Sequence, residues 1–109
     1  MIAELVTFKL PATTTREEVF EKFARTAETW RQNPDLVRKY YLFDAVNGVA
    51  GGVYLWRARA DAEKWHGADF RSRVRDIYGA DPESRFFETP IVVDCLGGEV
   101  VDHSEHPAR

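Results

Sequence analysis

The chain has 109 residues, 44% hydrophobic and 30% charged, a balance that fits one folded domain and excludes a disordered chain. Fifteen basic against 18 acidic residues leave a net charge of −3, which argues against a general nucleic-acid binder. No apolar run approaches the roughly 20 residues that span a bilayer, and a single cysteine, Cys95, excludes an internal disulfide. The expected setting is reducing and cytoplasmic.

Ile2 to Leu10 reads as a strand, with Ile2, Val6, Phe8 and Leu10 on one face and Glu4 interrupting it. Pro11 ends it. Thr15 with Glu18 fits a capping box, and Thr14 with Glu17 fits one register earlier. Val19, Phe20, Phe23, Ala27 and Trp30 then recur at helical spacing, and Asn33-Pro34 stops the helix. Leu36 to Val46 is a second strand. Asn47-Gly48 opens a hairpin loop, Gly51-Gly52 closes it, and Val53 to Trp56 forms the third strand. Asp61 and Asp69 are placed to cap two short helices divided by Gly67, with Gly79 as the stop. Arg85 to Leu96 is the last strand, Pro90 marking an edge or a bulge. A polar tail runs from residue 97 to 109, so the domain is expected over 1–96.

The order β-α-β-β-α-β is the ferredoxin-like arrangement of an α+β fold, with helices on one sheet face. Strands two and three are apolar on both faces: Tyr41 and Phe43 oppose Tyr40 and Leu42, and Tyr54 and Trp56 oppose Val53 and Leu55. Two helices cover one face only. A second copy of the chain is the simplest cover for the other, so a homodimer packed sheet against sheet is expected.

The run Ala50-Gly51-Gly52-Val53-Tyr54-Leu55-Trp56 resembles the AGG-[IV]-Y-L-F/W strand of the dimeric α+β-barrel proteins, within them the YdhR-like, antibiotic-biosynthesis-monooxygenase-like proteins. The likeness spans roughly residues 1 to 96. It implies a cavity between helices and sheet in each subunit of a dimeric barrel. It also implies oxidation of an ionised phenolic substrate by dioxygen without metal or flavin cofactor. The haem-degrading branch pairs a strand-one Asn with a helix-two His; strand one here carries no Asn.

The reading is a cofactor-independent monooxygenase acting on a small aromatic or polyketide-like compound. The alternatives are an isomerase or cyclase using the same pocket, or a small-molecule-binding module without turnover. His66, the only histidine inside the expected domain, is the candidate general base, its ordinary pKa being about 6.5. The bland reading is a helix-end histidine beside Gly67. Trp65, Tyr54, Trp56 and Trp30 are candidates for an aromatic box around the substrate, extended by Tyr78 and Phe86; ordinary core packing is the competing reading. Glu4, Asp44, Glu88 and Asp94 are strand carboxylates, one of which could orient His66 or pair with Arg38, Lys39, Arg57 or Arg85. Arg71, Arg73 and Arg75 share no helical stripe and read as solvated surface. Cys95 reads as a small core residue. His103-x-x-His106 with Asp102 and Glu105 has metal-type residues but no preset geometry, so no metal is expected. Tyr54 and Trp56 mimic the strand aromatics of RNA-recognition domains, but the accompanying basic-aromatic run is absent.

Overall fold

Alternation along the first strand decides which sheet face is covered. In the computed structural model, which describes residues 1–102, β1 spans Ile2–Lys9 and buries Ile2, Glu4, Val6 and Phe8 on one face. α1 (Arg16–Arg31) starts at Thr15, whose hydroxyl accepts from the Glu18 backbone N–H at 3.2 Å, as the capping box predicts. It buries Val19 and Phe23 against the sheet, while Phe20 stays 44% exposed.

β2 (Leu36–Asp44) and β3 (Val49–Trp56) form a hairpin. The strands join through a turn held by Asp44, whose Oδ1 accepts from the Val46 and Asn47 N–H groups, with Gly48 at φ 63°. β3 is therefore longer than expected: Gly51-Gly52 lie inside it, paired with β1, and do not close the loop. α2 (Arg59–Trp65) and α3 (Ala68–Tyr78) are the two short helices, broken at His66-Gly67. Their N-caps are Ala58 and Gly67, so Asp61 and Asp69 fall in the first turns, where they suit the helix dipole without capping. Gly79, at φ 75°, ends α3.

β4 (Glu83–Glu88) completes a four-stranded antiparallel sheet in the order β2-β3-β1-β4. The helices cover one face, giving the α+β ferredoxin-like topology. The last strand is not continuous to Leu96. It breaks at Thr89-Pro90, where proline has no N–H for the ladder, and resumes as β5 (Ile91–Asp94), which pairs with β6 (Glu99–Asp102). This second hairpin repeats the first one's turn chemistry, with Asp94 accepting from Leu96 and Gly97 and with Gly98 at φ 71°. Residues 99–102, expected in the polar tail, are thus strand. Cys95 sits exposed in the turn instead of in the core, and Asp94 pairs with Arg38 at 3.7 Å. The His103, Glu105 and His106 cluster lies outside the described residues.

The face away from the helices keeps Tyr40, Leu42 and Phe87 at 52%, 37% and 46% exposed.

Candidate active site

Between the sheet and the three helices lies a cavity of about 480 Å³. Its sheet side is formed by Val6 and Phe8 of β1, Lys39 of β2, and Gly51, Gly52 and Tyr54 of β3. α1 contributes Phe23, Thr26 and Trp30, and the segment from α2 to α3 contributes Trp65, Phe70, Arg73, Val74 and Tyr78. That volume suits a small organic molecule of a few fused rings. Among the described residues no helix is long and apolar enough to cross a membrane. Nor do three or more His, Cys, Asp or Glu side chains gather among them as a metal site.

The glycine pair is what opens the cavity toward the sheet. A Cβ on Gly52 would stand 3.3 Å from both Lys39 Cε and Tyr54 Cε1, so Gly52 leaves the room those two side chains occupy. A Cβ on Gly51 would lie 1.8 Å from the Val6 carbonyl oxygen, so only glycine permits β1 and β3 to approach there.

Four of the seven site residues expected from sequence line the cavity: Trp30, Tyr54, Trp65 and Tyr78. Trp30 stands edge-on to Tyr54 at 5.2 Å between ring centroids, and Trp65 is anchored by its indole N–H donating to Asp35 at 2.9 Å. Burial pushes the Tyr54 hydroxyl well above the usual phenol range and that of Tyr78 up to about 12, so both remain neutral donors at physiological pH. Among the described residues the Tyr54 hydroxyl has no hydrogen-bond partner.

The other three stand behind or beside the lining. Trp56 is fully buried and stacks parallel to Tyr54 at 5.8 Å. Phe86, opposite Glu4 across β1 and β4, lies under the Arg59 guanidinium. His66 is buried at the end of α2, stacked on Phe70 at 3.8 Å and edge-on to Tyr54 at 4.3 Å. Its Nδ1 lies 2.6 Å from Glu4 Oε1, and that same oxygen accepts from the Trp56 indole at 3.0 Å. Glu4 is therefore the strand carboxylate that orients the histidine. Burial lowers the His66 pKa, with the Glu4 contact opposing the shift. Glu4 Oε2 and His66 Nε2 are buried without a partner among the described residues.

Sequence reasoning placed Lys39 only as an ion-pair partner for a strand acid. It points instead into the cavity, among three aromatic rings. Its Nζ lies 3.9, 4.7 and 4.5 Å from the centroids of Tyr41, Trp30 and Tyr54, and burial lowers its pKa to about 7. Alternation from Tyr41 and Phe43 was the available signal, since residues 39, 41 and 43 share the helix-facing side. Arg73, expected on the surface, is exposed but lies at the cavity mouth.

An antiparallel sheet with helices on one face and an aromatic cavity beneath them defines an α+β fold with room for a small molecule. More particularly, the chain belongs to the family described as "Putative mono-oxygenase ydhR", whose sequence profile matches residues 5–88. Two solved structures share the fold. One is an antibiotic biosynthesis monooxygenase, at TM-score 0.63 and 14% identity, covering 82% of this chain and 98% of its own. The other is a point mutant of SnoaB, a cofactor-independent oxygenase from Streptomyces nogalater, at TM-score 0.60 and 17% identity, covering 81% and 91%. A search of curated protein sequences finds no match.

Proposed function

We propose that this protein is a cofactor-independent monooxygenase of a small phenolic or polyketide-like aromatic compound, working as a cytoplasmic homodimer. The observation that carries the reading is the aromatic cavity, with a half-buried amine in its lining, in a chain of a mono-oxygenase family. The description of SnoaB as a cofactor-independent oxygenase supports it. In this reading a phenolic substrate lies between Trp30, Trp65 and Tyr54 and loses its phenol proton. Its activated methylene then reacts with dioxygen. Two C–H bonds break and one C=O bond forms; the other oxygen atom leaves as water with both hydrogens. The electrons that reduce dioxygen come from the substrate itself. The protein supplies orientation and a place for the phenol proton.

His66 does not reach the cavity lining, so in this proposal it is a positioning residue: with Glu4 it holds the rings of Tyr54 and Phe70. The apolar open face of the sheet is the argument for the dimer, because an uncovered patch bearing Tyr40, Leu42 and Phe87 is costly in a monomer.

The test is dioxygen uptake with 1,8-dihydroxy-9-anthrone, with and without a chelator, against heat-denatured protein. Protein-dependent uptake that survives chelation, with the anthraquinone as product, is the expected result. Uptake no faster than with denatured protein would sink the oxygenase reading. A rearranged product formed without uptake would favour the isomerase or cyclase.

A further inference from the structure

The cavity's charges are all of one sign. Among its described lining residues the only ionic side chains are Lys39 and Arg73, and no carboxylate lines it. Glu4 shares the buried face of β1 with Val6 and Phe8 but lies outside the lining, engaged by His66 and Trp56. Lys39 has no ion-pair or hydrogen-bond partner among the described residues; what surrounds its Nζ is the faces of Trp30, Tyr41 and Tyr54. A half-buried amine held only by ring faces is under-satisfied, because cation–π contact replaces part of the lost hydration but supplies no acceptor. The missing acceptor is an oxygen of the ligand. The same rings leave flat space beside it, so that oxygen should be carried on a planar aromatic system. Gly52 keeps the lysine stem from being displaced, since any Cβ there would press on Lys39 Cε.

We infer that the cavity is a site for planar aromatic anions, in which Lys39 binds an oxyanion conjugated to the ring and Arg73 adds positive potential at the mouth. Aryl carboxylates and phenolates share this chemistry. A phenol whose acidity matches the amine, such as a nitrophenol, enters neutral and transfers its O–H proton to the free amine of Lys39, giving phenolate and ammonium with no change in total charge; a carboxylate enters already charged and pairs with the ammonium. The inference shares the cavity with the proposed function but does not need turnover.

The test is calorimetric titration with 2-naphthoate and with its uncharged isostere 2-naphthamide, alongside the absorption spectrum of bound 4-nitrophenol. The wild-type chain is expected to favour 2-naphthoate by about ten- to a hundredfold, the worth of a hydrogen bond to a charged group. Bound 4-nitrophenol should show the phenolate band at a pH where the free compound is neutral. Lys39→Met should bring the two naphthalene affinities within about twofold while the amide still binds, which also shows that the variant folds. Lys39→Gln is the second variant, should the methionine fail to fold. Arg73→Gln should reduce the preference by a smaller factor. Either the naphthoate preference or the phenolate band, if lost with Lys39, supports the inference and names the anion accepted. Equal affinities in the wild type together with no phenolate band, no binding of any of the probes at millimolar concentration, or a preference that survives both Lys39 variants would overturn it. Lys39-dependent preference without dioxygen uptake would leave this inference standing and remove the oxygenase.

Discussion

Glu4 Oε1 and His66 Nδ1, 62 residues apart in sequence, meet at 2.6 Å with both side chains buried. The Trp56 indole N–H donates to the same oxygen, so one carboxylate ties β1, β3 and the α2–α3 break together. Removing one partner of such a buried pair leaves the other uncompensated. Glu4→Ala is therefore expected to cost about 3–5 kcal/mol of stability. Glu4→Gln, which keeps an acceptor for both donors, should cost about 1–2 kcal/mol. Urea denaturation of the two variants checks the order; equal, small losses would show that the pair contributes little.

His66→Ala separates a positioning residue from a direct base. Because His66 stands behind the lining, its loss should cost roughly 2–4 kcal/mol through the vacated space and the stranded carboxylate. The Lys39-dependent preference for 2-naphthoate should remain. A stable His66→Ala protein with dioxygen uptake down roughly 10²–10⁴-fold would restore the histidine as the general base.

Lys39 makes both stability and ligand binding depend on pH. The folded amine titrates at about 7 against an ordinary value of 10.5, so between those values the unfolded chain holds a proton that the folded chain has released. Stability from this group therefore rises with pH above 7, until tyrosines begin to titrate in the unfolded chain near about 10. Of the groups facing Lys39, Tyr41 and Tyr54 are shifted upward and stay neutral through this window. His66, lowered, is neutral in it. Lys39→Met should flatten the pH dependence of Tm across the window and raise stability at neutral pH by about 1–2 kcal/mol. Affinity for 2-naphthoate should fall as pH rises through about 7 in the wild type and stay flat in the variant.

The glycine pair predicts an order of damage. Gly51→Ala drives a Cβ into the Val6 backbone and should disrupt the β1–β3 pairing outright. At Gly52 the nearest obstacles are the Tyr40 carbonyl at 2.9 Å and two side chains that can shift, so Gly52→Ala should cost about 1–3 kcal/mol. Thermal unfolding measures both, and calorimetry should show weaker 2-naphthoate binding for Gly52→Ala. A Gly51→Ala protein as stable as the wild type would contradict the close strand approach.

Sedimentation tests the open sheet face. The wild-type chain should run as a dimer at micromolar concentration, and Tyr40→Glu with Leu42→Glu should convert it to a monomer, since unpaired charges placed in an apolar interface oppose association. A stable wild-type monomer would rule out the sheet-to-sheet dimer.

Local patterning carried the fold. Period-two alternation from Ile2 to Leu10, the Thr15 cap with Glu18, and the glycine stop at Gly79 each act over a few residues, and each sits where the sequence places it. The break at Thr89-Pro90 and the β5–β6 hairpin were missed because Val92, Val93, Val100 and Val101 carry no local mark of which strand they pair with; their pairing depends on a turn after Asp94. For the site, the sequence by itself determined the stock of aromatic side chains, and Trp30, Tyr54, Trp65 and Tyr78 do line the cavity. Only the tertiary structure decided that His66 turns to Glu4 behind that lining while Lys39 turns in, because which groups a strand side chain meets is set by elements distant in sequence. A lysine is read as solvent-facing from sequence since hydration favours it there; three rings and an absent Cβ at Gly52 make the alternative visible only once the chain is folded.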